Sequence, residues 1–194
     1  MTSILITPTT ELEAVNSILR SISEAPINTL LGNLPLEATR ARAKLNERLR
    51  TVLTRGWTFN TDQDVALSST GGTEVVLSPN VLDVQNMAPR TYTVRGSRVY
   101  DPATRSYTLP DAVTGDLVIA LPFEELPQPF RTYIYLSAGL EFQNETNGDA
   151  IQERFSMQLV TAAWVSIQNW ESHRRKYNLG SNQSVRRAFR RRNA

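Results

Sequence analysis

The chain of 194 residues has no cysteine, which excludes disulfides, thiolate metal ligands and a cysteine nucleophile. It has a single histidine, His173. Arg174, Arg175 and Lys176 follow it, and only Glu171 is near enough in sequence to orient it as a catalytic base would require. No run of apolar residues approaches the roughly 20 needed to span a bilayer, so no membrane anchor is expected. The first six residues, Met1 to Ile6, carry no basic group ahead of an apolar stretch, so a signal peptide is not expected. No phosphate-binding loop, dinucleotide-binding glycine pattern or metal-ligand spacing is present, and no cofactor is expected.

Charge is present but badly distributed. Residues 171–194 hold eight basic side chains and one acidic one, a formal +7. The preceding 170 residues hold 13 basic and 18 acidic side chains, a formal −5, so the modest overall +2 conceals an acidic body with a basic end. Arg174, Arg175, Lys176, Arg186, Arg187, Arg190, Arg191 and Arg192, with Phe189 among them, cannot all be buried without losing their hydration. They point to an acidic partner outside the domain: nucleic-acid phosphates, an anionic membrane or an acidic protein groove. The membrane fits worst, because the segment lacks an apolar face.

The periodicities predict an α+β protein. Thr10 and Glu13 form a capping box before a helix with apolar positions Leu12, Val15, Ile18, Leu19 and Ile22, ended by Pro26. A second helix begins near Pro35 and stops at Gly56, with Leu34, Ala38, Ala41, Leu45, Leu49 and Val52 on one face. Arg40, Arg42, Lys44, Arg48 and Arg50 lie on the other. From Trp57 to Leu121, threonine, valine and tyrosine dominate, broken by Gly71-Gly72, Pro79-Asn80, Gly96-Ser97, Pro102 and Pro110, a pattern of short strands and hairpins. Gly96-Ser97 suits a two-residue type II′ turn, and Leu117–Leu121 reads as a strand buried on both faces. A third helix opens at Pro129, with a turn over Asn144–Gly148. A fourth, from about Asp149 to Tyr177, has Ile151, Phe155, Leu159, Ala162, Ala163, Ile167 and Trp170 as its apolar face. At about 43 Å it exceeds what the domain needs, so its far end is expected to project. The expected organisation is a helical bundle from both chain ends (1–56 and 123–177), an inserted antiparallel β segment (57–122) and a basic tail (178–194).

Chemistry is sparse. Asp62 and Asp64 would share a face of a strand, where two carboxylates can share a proton or bind a cation, but nothing converges on them. Glu124-Glu125 suits the positive end of a helix dipole. An enzyme, for instance a polysaccharide hydrolase, is therefore the weak alternative. Trp57, Phe59, Trp164 and Trp170 have the spacing of core or interface anchors more than of base-stacking platforms. Arg40, Lys44 and Arg48, with Trp164 and Trp170, are candidates for a subunit interface.

Several segments in order carry a resemblance: Glu11–Leu19, Glu24-Ala25-Pro26-Ile27, Arg55-Gly56-Trp57-Thr58-Phe59-Asn60, Val94–Asp101, Phe123-Glu124-Glu125-Leu126-Pro127, Phe130-Arg131, Tyr133-Ile134 and Phe142-Gln143. Over residues 8–175 the chain resembles tail tubular protein A, the head-to-tail adaptor of short-tailed bacteriophages. That resemblance implies a structural virion protein forming a twelve-subunit ring between portal and tail nozzle, assembled in the host cytoplasm. It implies genomic DNA in the central channel, without sequence-specific contact, and tail fibres near the adaptor–nozzle junction. The basic tail is then expected to dock on the portal, and nucleic acid held by the tail as a phosphate clamp is the alternative.

Overall fold

A computed structural model describes residues 7–67, 74–109, 112–146 and 150–174, with no side-chain description for 150–152. Its element order is α1 (Glu11–Ser21), α2 (Leu36–Leu53), β1 (Thr61–Leu67), β2 (Val81–Ala88), β3 (Thr93–Arg95), β4 (Arg98–Tyr100), β5 (Val113–Ile119), a 3₁₀ turn (Phe123–Glu125), α3 (Gln128–Thr146) and α4 (Ala150–Arg174). The fold is α+β.

The start of α1 follows its sequence. The Thr10 hydroxyl accepts the Glu13 N–H and the Glu13 carboxylate accepts the Thr10 N–H, satisfying two otherwise orphaned donors. Glu124, 113 residues away, accepts the Glu11 N–H at 3.2 Å, so this carboxylate caps α1. Arg42 Nε donates to Glu11 at 2.7 Å. That hydrogen bond is the main reason the Arg42 guanidinium is held above its already high pKa, against the opposing effect of burial. The end of α1 differs from expectation. The helix stops at Ser21, well before Pro26, in a Schellman motif with Ser23 at φ 63°: Glu24 N–H donates to Leu19 O and Ser23 N–H to Arg20 O.

The helical core takes Ala14, Val15, Ile18 and Leu19 from α1, Ala38, Ala41, Leu45, Val52 and Leu53 from α2, and Phe130, Ile134, Ala138 and Phe142 from α3. Each of the larger side chains contributes about 1.5–3 kcal/mol by leaving water. α3 packs against α1, α2 and α4, placing it at the centre. Its buried Arg131 donates to the carbonyls of Thr9, Leu126 and Glu124, tying the N-terminal segment to the 3₁₀ turn. The helix runs through Asn144, Glu145 and Thr146, so the turn expected from Asn144 does not begin there. Phe142, fully buried, holds that last stretch on the core.

Among the described residues, all five strands lie between α2 and α3. β5 is central in an antiparallel sheet of order β1-β5-β2, as a continuous apolar run predicts, although only Val118 of Leu117–Leu121 is fully buried and the strand ends at Ile119. A smaller hydrophobic cluster of Leu67, Val75, Val84, Tyr92, Val99 and Val113 forms the core here. β3 and β4 pair Thr93 with Tyr100 and Arg95 with Arg98. Gly96 has φ 63° while Ser97 keeps negative φ, as a type II′ turn demands. Both edge strands are interrupted by bulges, which blunt edges against pairing with other chains. At them Asp64 and Asn86 take φ 53° and 51°. Asp116 of β5 stitches both, accepting the Asn86 amide at 2.7 Å and the Asp64 N–H at 3.0 Å. Those two donors, Asn86 foremost, hold its carboxyl below the ordinary aspartate range. The bulge also breaks the two-residue phase that would have put Asp62 and Asp64 side by side.

Candidate interaction surface

The bundle meets the sheet at a short neck, residues 54–60. Asn60 is buried there and donates to Leu53 O and Ile119 O, while its Oδ1 accepts the Trp57 N–H at 2.8 Å. One amide therefore joins the end of α2, the neck and β5. Gly56, at φ 73°, brings its backbone against Val118 and Gln85, where a Cβ would lie 3.1–3.2 Å from both.

Aromatic side chains fill the space behind the neck. Trp57 meets Phe130 edge-on at 4.9 Å and Trp164 at 5.9 Å between centroids. Trp170 meets Phe130 at 5.2 Å and Phe59 at 5.8 Å. The Trp57 indole N–H donates to Val52 O, so the ring is both packed and satisfied. T-shaped pairs of this kind add about 0.5–1.5 kcal/mol each beyond burial. Trp164 and Trp170 are thus half-buried anchors that seat α4 on the neck. Two arginines lie over their faces: Arg174 Cζ is 3.9 Å from the Trp170 centroid, and Arg55 Cζ is 5.0 and 5.1 Å from Trp57 and Trp164. Glu171, also buried, accepts the Thr58 hydroxyl at 3.0 Å.

This seating reverses one expectation. The far end of α4 was expected to project, yet up to Arg174 it is the packed end, carrying Ala163, Ile167, Trp170 and Glu171. The other half lies open. Phe155 is 65%, Met157 61%, Leu159 57% and Val165 48% exposed. The predicted apolar face is correct at Ala163, Ile167 and Trp170 and wrong at Phe155, Leu159 and Ala162, which face out; the Ile151 side chain lies outside the described residues. The buried line runs Ser156, Val160, Ala163, Ile167, Glu171, about a quarter of a turn from the predicted stripe at 3.6 residues per turn. Ser156 sits on that line because its hydroxyl donates to buried Gln143 of α3.

Four basic side chains of α2 are engaged within the chain, Arg42 with Glu11 as described above. Arg40 pairs with Glu37, Lys44 with Glu47 and Glu145, and Arg48 with Glu141, with further donation from Arg48 to Ser137 and Tyr133. The bonds to Glu145 and Glu47 raise the Lys44 pKa. Arg48 and Trp164 come together at a shallow pocket of about 150 Å³ lined by Arg48, Thr51, Val52, Arg55, Trp57, Tyr133 and Trp164. Trp170 and Arg174 lie on the same helix beyond it, whereas Arg40 and Lys44 lie on earlier turns of α2. Arg175, Lys176, Arg186, Arg187, Phe189, Arg190, Arg191 and Arg192 lie outside the described residues, as does Gly71-Gly72. Thr51 was not singled out from the sequence, and Arg55 entered only as part of the segment that carries the family resemblance; their signal was their place at the end of a helix just before Trp57.

Among the described residues no group of histidine, aspartate and glutamate is arranged to hold a metal, and no helix is long and apolar enough to cross a membrane. His173 is exposed on the last turn of α4. The surface therefore offers packing and charge, with arginine, tryptophan and tyrosine at its centre, the residue types that dominate binding energy at protein interfaces. No curated protein matches the chain. The family model of the tail tubular protein matches residues 12–177, and the chain belongs to that family of phage tail structural proteins.

Proposed function

We propose that this protein is the ring-forming head-to-tail adaptor of a short-tailed phage, joining the portal to the tail nozzle and lining the channel through which DNA leaves. The observation that carries the reading is α4. Large apolar side chains grouped on an exposed stretch of helix mark a contact surface, and Phe155, Met157, Leu159 and Val165 find no cover within one copy. A neighbouring copy supplies the missing cover. In a closed ring, twelve-fold by family resemblance, that contact is heterologous, one face of each copy meeting a different face of the next. Arg48, Trp164 and Trp170 stand at or behind it, with Arg40 and Lys44 on the adjoining face of α2.

In this reading residues 1–56 and 123–177 form one bundle carrying 57–122 as an insert, and 178–194 form the docking tail. Arg174, Arg175 and Lys176, followed by Arg186, Arg187, Phe189, Arg190, Arg191 and Arg192, reach the portal. Their charge steers docking and sets register more than it sets affinity. Nozzle and tail-fibre proteins are the partners at the other end, and no step calls for catalysis or a cofactor.

The test is the mass of the purified protein, alone and with portal. A closed multimer under either condition is expected, and a single-copy mass under both would remove the ring. Deleting residues 178–194 is expected to leave a folded protein that fails to join the portal; an unimpaired portal complex would remove the tail's role. The charge split also favours a second reading, the tail as a phosphate clamp. Six phosphate contacts would make log affinity for DNA fall with log salt at a slope of about −5, and a flat salt response would exclude it.

A further inference from the structure

Two features at opposite ends of α2 match one another. At the N-terminal end, the segment before the helix is pinned at three places: Asn16 bonds both the N–H and the carbonyl of Ile27, Arg42 donates to Leu30 O, and Leu30 and Leu34 pack partly against the core. Between those shoulders the chain turns at Gly32, φ 79° with open space around it, and lifts Leu31 into solvent at 83% exposure. Leu36, 71% exposed, follows on the first turn of the helix. A single exposed leucine is ordinary; one held out on a braced turn is a preformed knob whose docking loses little conformational freedom.

At the C-terminal end of α2 lies the pocket of Arg48, Thr51, Arg55, Trp57, Tyr133 and Trp164. Its volume of about 150 Å³ is that of a cavity able to hold a benzene-sized group, so one leucine side chain fits. Among the described residues Arg55 forms no ion pair, and its guanidinium, held over two indoles, can donate to the carbonyls of a turn brought against it. Met157 lies two helical turns before Trp164 on the same side of α4, extending the apolar rim. From Leu36 to Val52 is 16 residues of helix, about 24 Å at 1.5 Å per residue, so a chain cannot place its own Leu31 in its own pocket.

We propose that Leu31 of one copy inserts into the Arg55–Trp57–Tyr133–Trp164 pocket of the next, making a head-to-tail contact that repeats from copy to copy. This rests on the ring-forming reading above and names the surfaces of its contact. A second copy brings both halves of the contact, the knob and the pocket. The open half of α4, about 18 Å long and about 10 Å across, presents on the order of 200 Å², about a quarter of the roughly 800 Å² each partner brings to a stable interface. The Leu31–Leu36 turn and the pocket rim add to it from both partners.

The absence of cysteine makes disulfide trapping clean. In the full chain, the double variant Leu31→Cys/Thr51→Cys is expected to give, on oxidation, a ladder of covalent multimers on a non-reducing gel. An equal mixture of the two single variants should stop at dimers, because each copy then carries only one half of the contact. Leu31→Asp is expected to weaken self-association at least tenfold by mass measurement with its unfolding curve unchanged, since the side chain is outside the core. A multimer of normal mass that gives no ladder overturns this contact and leaves the ring standing. Trapped dimers from Leu31→Cys alone overturn it as well, since they mean a symmetric contact. Crosslinks from Thr51→Cys to portal and none between copies assign the pocket to the portal. A single-copy mass with and without portal, and no ladder, overturns both readings.

Discussion

Helices α1 and α4 solve the same problem in opposite ways. α1 spends 11 residues and closes on itself: Ala14, Val15, Ile18 and Leu19 go into the core, Thr10, Glu13 and Glu124 satisfy its start, and a Schellman turn satisfies its end. α4 has 25 residues, seats one half on the neck through Ala163, Ile167, Trp170 and Glu171, and leaves Phe155, Met157, Leu159 and Val165 in solvent. The fold of one copy buries Ala14, Val15, Ile18 and Leu19 of α1, leaving Leu12 half-buried on its first turn, and buries few of the apolar residues in the open half of α4. In the ring-forming reading proposed above, the difference separates the part of the sequence that answers to the single chain from the part that answers to its neighbours.

The sharpest way to break that comparison is to remove matched side chains. Ile18→Ala, at a fully buried site, is expected to cost about 2–5 kcal/mol in denaturant unfolding through lost transfer energy and the cavity left behind. Leu159→Ala, studied at a dilution where the protein is single-copy, is expected to change stability by no more than about 0.5 kcal/mol. Equal losses at the two sites would mean that the flank of α4 belongs to the core of one copy.

How far these regions could be read in the sequence follows the same division. The capping box of α1 and the Gly96-Ser97 hairpin were legible because local chemistry fixes them within four residues. The phase of α4 was not. With Phe155, Val160, Ala163, Val165 and Ile167 spread around the helix, periodicity favours no face, and the choice fell to Ser156 bonding Gln143 and Glu171 bonding Thr58, both polar. Long-range polar contacts were equally hidden: Glu124 was read as a charge for its own neighbourhood, yet it caps a helix 113 residues away. Leu31 and Arg55 carried only faint marks, an apolar pair before Gly32 and a cation before Trp57. Their roles come from what a single chain leaves uncovered, which no pattern along the sequence reports.

The closed part of the molecule makes a second demand, that its polar groups be satisfied internally, and Asp116 tests it. Its carboxyl lies below the ordinary value of 3.8 in the folded protein. A depressed folded pKa contributes stability that is fully present above the unfolded value and is lost as pH falls through the folded one. Asp116→Asn keeps the shape and one acceptor but loses the charge. It is expected to lower stability at pH 7 by about 1 kcal/mol, at the low end for charged hydrogen bonds because solvent reaches the group. The gap between wild type and variant should narrow as pH falls below the ordinary aspartate value of 3.8 and close once the wild-type carboxyl has taken up its proton. A gap that persists unchanged into acid would mean that Asp116 does not stitch the two bulges through its charge.

The smallest effect concerns whether α1 ends where its own backbone ends it. Ser23 sits at φ 63°, a conformation costing an L-residue roughly 1–2 kcal/mol, while glycine there would bring an entropic cost of about 0.5–1 kcal/mol. The balance favours Ser23→Gly by about 0.5 kcal/mol, or about 1–2 °C in Tm for a chain of this length. Calorimetry at a fixed protein concentration would read it. A rise with self-association unchanged places the end of α1 within the self-contained part of the fold. A fall would show that the Ser23 side chain matters to the native state, and that even α1 depends on something beyond its own caps.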